Sequence, residues 1–164
     1  VPLSLQLAVL GVWAAGAAAE AEGLDEARLL PATRAHVRMG RRVRALGLDP
    51  QRVRAQARTL AEAWFADVDV LLTPALARPA IAADGWERRG WLATVDASAR
   101  FAPFAGMWNV TGWPACVVPA GRHPDGLPLG IQLVARPGGE ARLLGLARTL
   151  ERVAPWARVA PTYG

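Results

Sequence analysis

The segment from Trp108 to Pro137, WNVTGWPACVVPAGRHPDGLPLGIQLVARP, constrains this chain more than any other. It holds two apolar runs, ACVVP at 115–119 and LPLGIQLVA at 127–135, joined through Gly, His, Pro and an Asp125-Gly126 pair. Asp-Gly between such runs supplies the positive backbone angles of a hairpin turn, so the two runs are expected to pair. A third run, DVLLTP at 69–74, is apolar without alternation, as is ACVVP. That pattern belongs to strands covered on both faces. Three short strands cannot be covered on both faces by their own helices alone, and apolar edges invite pairing with another chain. The expected fold class is therefore α/β, with helices packed on a mixed sheet that is incomplete within this chain. The missing strands would lie elsewhere in the polypeptide, or a second copy would be exchanged through the exposed strands.

Four helices are expected, over about Ser4 to Glu22, Pro31 to Leu46, Pro50 to Ala66 and Gly139 to Val153. Asp49-Pro50 is a strong start signal, an N-cap followed by Pro at the first helical position. In the helix it opens, Val53, Ala57, Leu60, Ala61 and Trp64 recur at three and four residues and define one buried face. The last helix places Leu143, Leu144, Leu146, Ala147 and Leu150 on one side. Residues 75–100, with Pro79, Gly85 and Gly90, read as one long connection. No domain boundary stands out, and residues 1–164 are read as a single region.

Composition narrows the function classes. The net charge is +5, but all 19 basic residues are Arg and Lys is absent, a substitution expected of a GC-rich bacterial genome. The densest basic stretch, Arg34 to Arg58, has no interleaved aromatic residues, so it reads as a solvated helix face and not as a nucleic-acid platform. The single Cys, Cys116, excludes an intramolecular disulfide and fits a reducing cytoplasm. The apolar stretch from Leu5 to Ala19 is shorter than a bilayer span and lacks a basic leader, so a buried helix is expected and no membrane partner. The chain does not begin with Met, as expected of a segment from a longer protein. His36 and His123 have no ligand spacing with Cys116 or a carboxylate pair, so no metal is expected. No phosphate-cradling Gly loop is present, and no cofactor is expected.

Five segments carry a resemblance: VWAAGAAAEAEGL at 12–24, LLPATRAHVRMGRRV at 29–43, FADVDVLLTPAL at 65–76, FAPFAGMWNVTGWPACVVPAG at 101–121 and DGLPLGIQLVARPGGEARLLGLARTLE at 125–151. In this order they resemble the C-terminal part of the amidase signature family. The last two blocks are the specific ones. The resemblance implies amide hydrolysis by a Ser–cis-Ser–Lys triad, in which a Lys acts through a bridging Ser and backbone N–H groups hold the oxyanion. It also implies that the triad precedes all five segments. Here there is no Lys, and the two Ser residues, Ser4 and Ser98, stand in no Gly-Ser-Ser setting. No catalytic residue is carried over. The expected role is to complete the sheet and one wall of a pocket for a small-molecule amide, with the N-terminal part of the same protein supplying the chemistry and this chain alone inactive.

Phe104, Met107 and Trp108 are the candidate pocket wall, although core packing accounts for large apolar residues equally well. Asn109, the only Asn, either contacts the acyl group or satisfies backbone groups in its own turn. Gln132, inside an apolar strand, needs hydrogen-bond partners or a substrate. Gly112 and Gly126 read as turn devices. The alternative to an enzyme part is a non-catalytic interaction module or a fragment of an amidotransferase-type subunit.

Overall fold

The computed structural model describes residues 1–82, 85–86 and 89–157. Helix α1 (Leu3–Glu20) lies across α2 (Pro31–Ala45), and α3 (Pro50–Trp64) packs beside α1. A short 3-10 turn at Glu26–Arg28 links the first two helices. The crossing of α1 and α2 is set by small residues. A Cβ placed on Gly40 would lie 2.0 Å from the Ala14 carbonyl oxygen and 2.8 Å from the Ala18 Cβ, so only glycine permits this approach. Ala14, Ala15 and Ala18 are buried there. Among the described residues α1 is the one helix long and apolar enough to cross a bilayer.

The start of α3 follows the sequence expectation. Asp49 accepts a hydrogen bond from the Gln51 N–H at 2.9 Å, and Pro50 occupies the first turn. Val53, Ala57 and Ala61 are buried, while Trp64 at the end of the same face is 37% exposed.

Strand β1 (Val70–Pro74), strand β2 (Ala115–Arg122) and strand β3 (Pro128–Ala135) form one sheet in the order β1-β3-β2. Both pairings are antiparallel. Leu72 lies opposite Leu133 and Thr73 opposite Gln132, while Cys116 faces Leu133 from the other side. The hairpin between β2 and β3 turns at Gly126, whose φ of 80° is the left-handed conformation anticipated for Asp-Gly.

The sheet separates two cores. On one face Val134 joins Phe65, Trp108, Trp113 and the buried side of α3. On the other Leu133, Ala135 and Val118 pack against Leu143 of α6 (Glu140–Val153). Leu144, expected on the packed side of α6, is 66% exposed. The outer strands are only partly covered within this chain: Leu72 on β1 and Val117 on β2 are each 58% exposed.

Two helices contradict the sequence expectation. Residues 91–100, read as part of a long connection, lie in α4 (Trp91–Phe101). The WNVTG segment, read as a turn, is largely helix α5 (Gly106–Thr111), which ends at Gly112 with φ 70°. Neither helix carries a side-chain N-cap, and α4 buries no residue fully, so the usual start and burial signals are missing.

Candidate substrate cleft

The site grows out of the junction between α5 and the sheet. Pro103 and Phe104 lead into α5, whose Met107 and Trp108 are 7% and 4% exposed. Trp108 is fixed by an aromatic cluster: its ring centroid lies 6.0 Å from Trp64, 6.2 Å from Phe65 and 6.2 Å from Trp113. Phe65 and Trp113 meet edge-on at 5.0 Å, an arrangement that aromatic quadrupoles favour. The indole of Trp108 therefore belongs to the core cluster and also borders a cleft.

A cleft of about 450 Å³ opens against this wall, bounded by Trp64, Leu71, Thr73, Phe104, Met107 and Trp108. Three of the four candidate residues thus come together. Its walls are chiefly apolar, with Thr73 and Gln6 as polar side chains and no acidic, Arg or His side chain among the described residues. Asn109 is not part of it. One step further along α5, Asn109 is exposed and borders a separate hollow of about 400 Å³ between α1, α4 and α5, together with Ser98 and Arg54. A larger cleft of about 530 Å³ lies along α4 beside Arg78, Arg89 and Arg100. It holds none of the four candidates.

Gln132 is 4% exposed. Its Nε2 donates to the Thr73 hydroxyl at 3.3 Å and to the Phe104 carbonyl at 3.2 Å. The structural reading of Gln132 therefore holds, and it ties two cleft-lining residues to β3. Sequence reasoning missed Trp64, Leu71 and Thr73 as lining residues. The available signal was the position of Leu71 and Thr73 on a strand expected to share a sheet with Gln132.

The described lining of the cleft contains no hydroxyl paired with a base. Cys116 is half-buried on β2 and faces away from it, toward the α6 side. His123 contacts Asp125 at 3.0 Å in the hairpin loop, and Asp69 pairs with Arg142. Both pairs are partly or largely exposed to solvent and lie outside the cleft lining. Among the described residues no three His, Cys, Asp or Glu side chains converge as metal ligands would.

The amidase family profile matches residues 13–144, and the chain belongs to that family. A Mycobacterium tuberculosis protein assigned as amidase AmiA2 is 37% identical over 138 residues, covering 84% of this chain and 28% of the relative. A second from the same organism, assigned as amidase AmiB2, is 43% identical over 98 residues, covering 60% of this chain and 21% of the relative. The structure of 6-aminohexanoate cyclic dimer hydrolase superposes with a TM-score of 0.74 at 25% identity, over 93% of this chain and 36% of that one. A bacterial aryl acylamidase of the amidase signature family shares the fold, with a TM-score of 0.62 at 20% identity. The chain thus spans less than a third of the length of these curated relatives.

Proposed function

We propose that the polypeptide containing this chain hydrolyses an amide C–N bond. This chain contributes part of the sheet and one wall of the substrate pocket, and the nucleophilic hydroxyl and its base come from other parts of the polypeptide. One observation carries the reading: Phe104, Met107 and Trp108 converge on a single apolar cleft beside β1, in a chain of the amidase family with no Lys. An unactivated hydroxyl needs an adjacent base, and Ser4 and Ser98 have no Lys available. The apolar lining suits an alkyl or aryl amide better than a small polar one, because burial of apolar substrate surface supplies the binding free energy. The single, half-buried Cys116 is compatible with work in a reducing cytoplasm. The test is turnover of an alkyl- and aryl-amide panel by the full-length polypeptide and its Met107→Ala form. The reading predicts hydrolysis, with KM raised by the substitution. No turnover of any amide by the full-length protein would sink it.

A further inference from the structure

Helix α5 has only six residues, too few to persist on intrinsic propensity. It carries Met107 and Trp108 into the cleft. Its position is set from outside by side chains bonded to backbone carbonyls at its trailing end and in the segment that leads into it. At the leading end the Phe104 carbonyl accepts from Gln132 Nε2 of β3 at 3.2 Å. At the trailing end two consecutive carbonyls accept from α3. Arg54 Nε donates to the Val110 oxygen at 3.0 Å, and Arg58 Nε to the Thr111 oxygen at 3.1 Å.

The spacing explains the pairing. Arg54 and Arg58 are four apart on α3 and therefore share a face, one turn above the other. The final carbonyls of a helix have no partner within it. A guanidinium donating to them makes charge-assisted bonds, stronger than neutral ones. Gly112 completes the end: its N–H donates to the Trp108 oxygen at 2.9 Å with φ 70°, a conformation unfavourable for other residues. Two members of the Arg-rich stretch are thus engaged with the protein's own backbone and not simply solvated.

We infer that Gln132, Arg54 and Arg58 are positioning residues for the cleft. They clamp residues 104–111 between β3 and α3, and so fix Met107 and Trp108 relative to Thr73. None of the three lies in the lining of the cleft. The importance for substrate rests on the cleft reading above, while the clamp itself rests on the bonds alone. Lys would not replace either Arg, because the side-on Nε donor is lost.

The test uses the full-length polypeptide and two variants: the pair Arg54→Met with Arg58→Met, and Gln132→Met. Hydrogen exchange is followed in peptides covering 104–112, with a peptide from α6 as reference, and the Kd of acetanilide is measured by calorimetry. The inference predicts exchange about tenfold or more faster in 104–112, as the loss of charge-assisted or buried hydrogen bonds implies, with the α6 peptide unchanged. It also predicts acetanilide binding about tenfold weaker. Unchanged exchange in 104–112, or an equal rise in α6, would overturn the clamp. Faster local exchange with unchanged acetanilide affinity would overturn the positioning role. If the unsubstituted protein binds no acetanilide, the cleft reading fails instead, and exchange alone decides the clamp.

Discussion

The indole N–H of Trp91 donates to Nδ1 of His36 across 2.9 Å, joining the start of α4 to α2. The imidazole is also packed against Trp13 of α1, with ring centroids 4.1 Å apart. An acceptor Nδ1 carries no proton, so this contact requires the neutral imidazole. Burial pushes the His36 pKa below its ordinary value of 6.5, and the Trp13 backbone opposes that shift only in part. Three helices therefore meet at one uncharged histidine.

The sign of the pH effect follows. His36 binds its proton more weakly when folded, so the unfolded chain takes up more protons as pH falls. The stabilising contribution is complete above the unfolded pKa of about 6.5 and is lost as pH drops through the lowered folded value. Thermal midpoints measured from pH 7.5 to pH 5 should fall more for the unsubstituted protein than for His36→Gln, which has no imidazole to titrate. Equal slopes would show that His36 does not couple pH to folding.

Gly40 and Gly16 make a matched pair in helices α2 and α1. An Ala at Gly16 meets nothing within 4 Å, and one at Gly40 meets the Ala14 carbonyl. Gly16→Ala should therefore stabilise by about 0.5–1 kcal/mol through helix propensity. Gly40→Ala should destabilise by about 1–3 kcal/mol or more, because backbone must move. Urea denaturation of the two variants gives both signs in one experiment.

Phe65 is 1% exposed, touches Trp108 and Trp113, and offers its backbone oxygen to Arg136. Phe65→Ala should cost about 3–5 kcal/mol, the range for a buried aromatic whose cavity cannot collapse. Near-ultraviolet circular dichroism should lose intensity even under folded conditions, since the tryptophan cluster loses its central ring.

Trp108 and Asn109 are neighbours in sequence but border different hollows. Successive residues on a helix point about 100° apart, from 3.6 residues per turn. Asn109→Ala should change acetanilide affinity by less than about twofold, whereas Trp108→Ala should weaken it by about tenfold or more, as loss of a fully packed aromatic wall does. Calorimetric titration of both variants separates the two faces of α5.

Much of this arrangement is legible in the residues. Asp49-Pro50 announces α3, and Asp125-Gly126 announces the hairpin, because each encodes its backbone geometry locally. The five quoted segments point to the family, and Phe104, Met107 and Trp108 border one cleft. What local signals do not reveal depends on distant partners. Helix α5 is held by Arg54, Arg58 and Gln132, and α4 is tied through Trp91 to His36. A segment held by contacts with remote elements carries little periodicity of its own. For the same reason Asn109 could not be assigned a side while WNVTG was read as a turn.

The proposed function is a division of labour, in which this chain would wall the cleft and other parts of the polypeptide would cut the amide. The most direct measurement is amide hydrolysis by the purified 164-residue chain, by a separately produced N-terminal part, and by the two mixed. The account predicts no turnover from the chain alone and hydrolysis in the mixture above that of either part. Turnover by the pure chain, or no gain on mixing parts that associate, would contradict it.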